Sequence, residues 1–294
     1  RVSVANWSMT LLFRADGARI FGCSRRNLIF YHVTHNPTDA VFPMKTNPEA
    51  IDLLIEPRWI AAVDPDIVLE NHAVAVHDGR IAALLPQGEA HRRYAAARRV
   101  VLEDHILIPG LINLHTHAAM TLMRGLADDL ALMDWLQKYI FPAEAKTVSP
   151  EFVRAGTRLA ALEMIQSGTT AYADMYYFEE EIAKATKEAG IRGVLGQTII
   201  QFPVPDAQTP AEGIARATSF IRQWSGDELV VPAIAPHSMY TLDAATLKEI
   251  RAVATRERAP VVIHLAETRD EVKIARDKYK ATPTAFLESI GFWG

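Results

Sequence analysis

From Pro109 onward the sequence alternates helical patterns with short apolar runs, and this alternation restricts the fold more than any other feature. Ser149 caps a helix with Pro150 at its first position, an apolar face including Phe152, Leu159, Leu162 and Ile165, and Gly168 as its stop. A strand is expected over 169–174, a helix over about 179–189 closed by Gly190, and a strand over 192–200. Thr209-Pro210 opens a third helix ending near Gly226, followed by a strand over 229–236. Asp243 caps a fourth helix, and 260–267 reads as another apolar strand. Strands and helices in this order form right-handed βαβ units around a parallel sheet, which leaves a doubly wound sheet or a (β/α) barrel.

The polar residues at the strand ends favour the barrel. His115, His117, Asp174, His237, His264 and Glu267 lie at or just beyond the carboxyl ends of successive strands, and a barrel gathers such residues on one face. His115-Thr116-His117 follows the apolar run 106–114. In a strand, residues at i and i+2 share a face, so both imidazoles can aim at one point. Two surface histidines at a strand end are the plain alternative. The position straight after a strand that follows Pro109-Gly110, with further candidate ligands downstream, favours a metal site.

His264 stands in an apolar strand, where a neutral imidazole needs a partner that a metal would provide. Three imidazoles leave a coordination position open for water, and a divalent metal lowers the pKa of that water towards neutrality. Glu267 is then the candidate proton carrier, against the alternative of a solvated glutamate at a helix start. Asp174 is more ordinary, since aspartates at strand ends often form turns or caps. His237 reads as either a pocket residue or a satisfied loop histidine.

Composition excludes several other functions. The chain has 294 residues, 49% of them hydrophobic, and a formal net charge of −4. That suits a globular protein with a substantial core, and no basic block interleaved with aromatics suggests nucleic acid as a partner. Cys23 is the only cysteine, so there is no internal disulfide and no cysteine-based zinc cluster, which fits a reducing cytoplasm. Ile20-Phe21-Gly22-Cys23 has the outline of a lipoprotein cleavage box, but Arg14, Asp16 and Arg19 interrupt the apolar stretch it would need. No segment reaches the roughly 18 apolar residues of a membrane span.

Residues 1–50 show neither a helical nor a strand period and read as a poorly ordered N-terminal extension, with Met44 as a natural start. Short strand-like runs follow over 51–55, 59–63, 72–77 and 81–85, with Asp78-Gly79 as a hairpin turn and a further run over 99–102. Residues 51–108 are therefore expected to form part of a small β-sandwich domain, and 109–294 the barrel.

The motifs together resemble the amidohydrolase superfamily, most closely its 5'-methylthioadenosine/S-adenosylhomocysteine deaminase branch, neighbour to the triazine and chlorohydrolase enzymes. The resemblance spans roughly 51–294. It is carried by the stretch from Pro109 to Asp129 around His115-Thr116-His117, by Met133-Asp134-Trp135-Leu136 and by Phe141-Pro142-Ala143-Glu144. Asp174-Met175-Tyr176, Pro236-His237-Ser238-Met239-Tyr240 and His264-Leu265-Ala266-Glu267-Thr268 complete it.

The resemblance implies a TIM-like metal-dependent hydrolase barrel, and a single divalent ion, zinc, on His115, His117 and His264. Glu267 matches the catalytic glutamate that also binds substrate, His237 and Glu144 match substrate-binding residues, and Trp135 falls at an aromatic pocket wall. The implied reaction is deamination of an adenosine-type nucleoside by a metal-activated hydroxide, with release of ammonia. Gln197 stands where relatives carry an arginine for the amino-acid tail of S-adenosylhomocysteine, and Phe202-Pro203-Val204-Pro205-Asp206 offers no arginine clamp. Arginine is the natural partner of a carboxylate, so 5'-methylthioadenosine is the favoured substrate.

The sequence stops at Gly294, where the resemblance would continue through further βα units carrying a second catalytic histidine and a metal-binding aspartate. The chain therefore reads as an amino-terminal part with about five of eight barrel strands, and open strand edges leave room for a homo-oligomer. Two alternatives stay open: dechlorination or deamination of an s-triazine or other heteroaromatic ring, and a fragment that serves as a non-catalytic interaction module.

Overall fold

The computed structural model describes residues 47–293, together with the backbone of two strands, β1 (Thr10–Arg14) and β2 (Arg19–Ile20). Cys23 and Met44 lie outside the described residues. The chain divides into two compact units, Arg1–Leu111 and Ile112–Gly294.

In the first unit, β3 (Glu49–Ala61) is one strand where the sequence suggests two. Pro57 cannot donate to a ladder, and the register against the neighbouring strand shifts between Pro57 and Trp59, so a bulge absorbs the irregularity without ending the strand. β4 (Val68–Glu70), β5 (His72–His77) and β6 (Arg80–Pro86) follow. Asp78 and Gly79 link β5 to β6 with φ of 47° and 67°, the left-handed geometry that a two-residue hairpin requires.

Helix α1 (Gln87–Arg93) leads into β7 (Tyr94–Pro109). This one strand takes in both the 99–102 run and the start of the 106–114 run. The sheet order is β2-β1-β7-β3-β5-β6, with β4 on β3, so strands also form within 1–50, where the sequence shows no period. Leu54 and Leu107, both about 1% exposed, centre two apolar clusters.

The second unit follows the strand and helix alternation. It begins with β8 (Leu111–Thr116) and a 3₁₀ turn (Ala118–Met123). A helical stretch then runs through α2 (Leu132–Trp135), a π-helical turn (Leu136–Ile140) and α3 (Phe141–Thr147). The alternation continues through α4 (Pro150–Ser167), β9 (Thr169–Tyr176), α5 (Glu179–Ala189), β10 (Arg192–Ile199), α6 (Pro210–Trp224) and β11 (Val230–Pro236). Helices α7 (Ala244–Glu257), α8 (Arg269–Tyr279) and α9 (Pro283–Ser289) complete it. The sheet order is β11-β10-β9-β8, and β9, β10 and β11 pair in parallel. Tyr172, Leu195, Ile199 and Ile234 are buried in or beside it. Among the described residues, no helix is long and apolar enough to cross a membrane.

Three features of the structure differ from the sequence pattern. Helix α4 is capped by Ser149, whose side chain accepts from Phe152 N, and ends at Gly168 with φ 96°, but its buried face is Val153, Gly156, Thr157, Ala160, Ala161 and Met164. Leu159 and Leu162 are exposed. Small residues win the inner position because the helix approaches its neighbour closely: a Cβ on Gly156 would stand 2.3 Å from the Ala119 carbonyl oxygen.

Second, 260–267 is not a continuous strand. Val261 and His264 form isolated parallel bridges to Ile234 and Ser238. The segment is held to β11 and the residues after it through Ile234 N to Pro260 O (3.1 Å), Val262 N to Ile234 O (3.1 Å) and His264 N to His237 O (3.0 Å). Third, the apolar run before His115 is buried only in part: Leu107 is buried in the first unit, whereas Leu111, Ile112 and Leu114 are exposed in the end strand of their sheet.

Candidate active site

The strand ends of the second unit bring the histidines together. His115 sits in β8, while His117 lies one residue beyond it with φ −125° and ψ 73°. His264 comes from the segment bridged alongside β11. The ring centroids of His115 and His117 are 5.3 Å apart, and each lies 5.2 Å from that of His264. One nitrogen from each ring lies within 4.8 Å of the others.

Hydrogen bonds orient two of these rings. Nδ1 of His117 lies 2.7 Å from the Met175 carbonyl oxygen, and Nδ1 of His264 lies 3.2 Å from that of His237. A carbonyl can only accept, so each Nδ1 carries the proton and each Nε2 keeps its lone pair. Burial lowers the pKa of both imidazoles, so they stay neutral near pH 7. A neutral ring oriented through its far nitrogen is the form in which histidine binds metal.

His237 ends up beside them, its ring centroid 4.9 Å from that of His264. Burial, reinforced by the two neighbouring imidazoles, pushes its pKa down to about 3. Its Nδ1 lies 3.2 Å from both the Ser238 and Thr241 hydroxyls. Glu267 precedes α8, whose cap is Thr268. The Tyr240 hydroxyl donates to Glu267 Oε2 at 3.2 Å, and the Glu267 amide donates to Glu271 at 2.7 Å. Ala266, with φ 54°, makes the turn that presents Glu267.

His117, His237, His264 and Glu267 line one pocket, and Trp135 and Glu144 form part of its wall. The Trp135 indole donates to the Leu126 carbonyl at 3.3 Å. Glu144 is 5% exposed and accepts from the Tyr176 hydroxyl at 2.8 Å. Burial pushes its carboxyl up to about 7, against the lowering effect of that hydrogen bond. The pocket thus combines neutral imidazoles, two carboxyl groups and aromatic surface.

Sequence reasoning assigned no role to Tyr176 and Tyr240, which position the two carboxyl groups. Both stand within motifs that carried the resemblance, directly after Met175 and Met239. Asp174 is 1% exposed and is neither a turn former nor a helix cap. Its Oδ1 accepts from Thr116 Oγ1 at 2.5 Å and from the Ala118 amide at 2.6 Å. Gln197 is fully buried and donates to Asp206 at 2.9 Å and to the Thr198 carbonyl at 3.2 Å.

The model of the amidohydrolase family matches residues 106–294. A relative named 5-methylthioadenosine/S-adenosylhomocysteine deaminase 1, from Syntrophus aciditrophicus, is 43% identical over 244 residues, covering 83% of this chain and 55% of its own. The crystal structure of an adenosine deaminase from Xanthomonas campestris with bound zinc superposes with a TM-score of 0.81 at 44% identity, over 84% of this chain and 56% of that one. The zinc complex of an atrazine chlorohydrolase from Arthrobacter aurescens superposes at 0.72 with 19% identity, over 82% of this chain and 58% of that one, a likeness of fold alone. The chain spans about half the length of the curated relatives it matches. With the family's model covering the whole of the second unit and the histidines of that unit gathered at its strand ends, the chain belongs to the amidohydrolase family.

Proposed function

We propose that this chain carries the metal-binding half of a hydrolase that deaminates an adenosine-type nucleoside. 5'-Methylthioadenosine is the favoured substrate and S-adenosylhomocysteine a second one. The observation that carries the reading is the convergence of nitrogens of His115, His117 and His264 within 4.8 Å, beside a pocket that His117 and His264 line together with Glu267, Glu144 and Trp135.

The donor set fits zinc. His115, His117 and His264 offer three nitrogen ligands and leave room for a further one, the arrangement of a catalytic rather than a closed structural site. Zinc, when bound, supplies the Lewis acidity that makes water a usable nucleophile near neutral pH. The remaining steps fall to the side chains.

Glu267 holds the transferable proton. Its Oε2 is engaged by Tyr240, and its other oxygen is the one suited to take a proton from water and return it to the ring or the departing amine. Water adds to the amine-bearing carbon, the carbon–nitrogen bond breaks, and the products are the oxo-purine nucleoside and ammonia. His237 stays neutral at working pH and serves as a hydrogen-bonding partner of the substrate, anchored through Ser238 and Thr241. Glu144 and Tyr176 form a polar pair suited to sugar hydroxyls, and Trp135 gives the ring system an apolar wall.

Relatives named for this deamination support the substrate class. The test has two parts. The purified chain should bind one zinc ion per molecule, and His264→Ala should lose it; a His264→Ala variant with full zinc content removes this metal site. A version continued to the length of its relatives should release ammonia from 5'-methylthioadenosine, and zinc-loaded protein without such release removes the assigned reaction.

A further inference from the structure

Side chains two residues apart share a face only while a strand continues, and β8 ends at Thr116. His117 lies outside the ladder, so strand geometry alone does not place its ring opposite His264. Something else holds it there. The end of β9 meets the 116–118 segment with three consecutive residues. The Ala173 carbonyl lies 2.8 Å from Thr116 Oγ1. The Asp174 carboxylate takes both Thr116 Oγ1 and the Ala118 amide. The Met175 carbonyl takes His117 Nδ1.

We propose that Asp174 is the positioning residue of the metal centre: its carboxylate clamps the residues on both sides of His117 and so sets where that ring points. The proposal rests on the metal-binding reading above. Asp174 touches Thr116 and Ala118, and therefore acts through them. Its burial argues that it is kept for a role: it is 1% exposed, and its Oδ2 has no hydrogen-bond partner among the described residues. A carboxylate buried with one oxygen unpaired is costly, and an apolar side chain would fill the same space without that cost. The clamp also has a firm backing, since Ala118 and Ala119 are buried and Ala119 rests against Gly156 of α4.

Residues that orient metal ligands without touching the ion typically change metal affinity about 10- to 100-fold when removed. The test measures zinc affinity of the 294-residue chain by competition with a chromophoric chelator, with cobalt substitution to read ligand geometry from the visible spectrum. Asp174→Asn keeps the Oδ1 acceptor and should stay within about threefold of wild type with an unchanged cobalt spectrum. Asp174→Ala should lose about 10- to 100-fold and shift the spectrum. Thr116→Val removes one of the two clamped donors and should lose a smaller factor, which keeps the proposal testable if Asp174→Ala folds poorly. Leu195→Ala, a core truncation in the same sheet, should lower the melting temperature yet leave zinc affinity unchanged.

Zinc binding by Asp174→Ala or Thr116→Val equal to wild type overturns the proposal. So does an Asp174→Asn variant as weak as Asp174→Ala, because the charge rather than the acceptor would then matter. Failure of the wild-type chain to bind zinc overturns the metal-binding reading itself, and the proposal with it.

Discussion

The contribution of Glu144 to the stability of the second unit is expected to fall between mild acid and neutral solution. Its carboxyl, 5% exposed on α3, is pushed by burial from the ordinary value of 4.5 up to about 7, and the Tyr176 hydroxyl only partly offsets this. In the unfolded chain the group ionises near 4.5, whereas in the folded chain it holds its proton until about 7. Between those values the folded state binds more protons, so stability falls as pH rises and the loss is complete above about 7. The gap corresponds to roughly 3 kcal/mol at alkaline pH and less than about 1 kcal/mol at pH 5.

Glu144→Gln has nearly the same shape and no charge at any pH, so it removes the pH-dependent part alone. Urea unfolding of wild type and variant at pH 5 and pH 8 measures it, and groups common to both proteins cancel in the difference. The variant should gain roughly 2 to 3 kcal/mol on wild type between the two pH values, seen as a melting-temperature advantage of several degrees at pH 8. A stability difference equal at both pH values, or a wild type that gains on the variant between pH 5 and pH 8, refutes the reasoning. Tyr176→Phe removes the hydrogen bond that favours the ionised form and should extend the window's upper edge to higher pH, while its lower edge stays where the unfolded chain ionises.

Gly156→Ala places a methyl 2.3 Å from the Ala119 carbonyl oxygen, which neither backbone can yield cheaply; thermal melts should show a loss of about 1 to 3 kcal/mol. In the version continued to the length of its relatives, Glu267→Gln should keep its zinc and lose about two to four orders of magnitude in turnover, the usual worth of general acid-base catalysis; near-normal ammonia release removes that role. His237→Ala should raise KM for the nucleoside and leave zinc stoichiometry unchanged by metal analysis, and loss of zinc would show that His237 is a ligand instead.

The parts of the fold that were legible in the sequence are those with local causes. Ser149, Thr209 and Asp243 each cap the helix they were expected to open, by accepting a backbone hydrogen bond through the side chain. Asp78-Gly79 supplies its hairpin turn. These signals work because a cap or a left-handed turn is decided within a few residues. What was not legible depends on what lies opposite. Counting apolar residues turns Leu159 and Leu162 inward on α4, yet the helix packs through Gly156, Ala160 and Ala161 because close approach rewards small side chains more than apolar area, and nothing within α4 reveals the Ala119 carbonyl it must meet.

The candidate site divides the same way. A histidine pair spaced by two is visible as a pattern, but the pattern assumes a strand that stops before His117, and the contacts that replace the missing ladder come from Ala173, Asp174 and Met175, more than 50 residues later. Read as a sequence, Asp174 is an ordinary aspartate at a strand end. It differs from other such aspartates in being enclosed by the residues whose positions the site needs, and a side chain acquires that property only when β8 and β9 come together. Positioning residues are therefore harder to find from sequence than ligands, because a ligand is recognised by its own chemistry and a positioning residue only by what it touches.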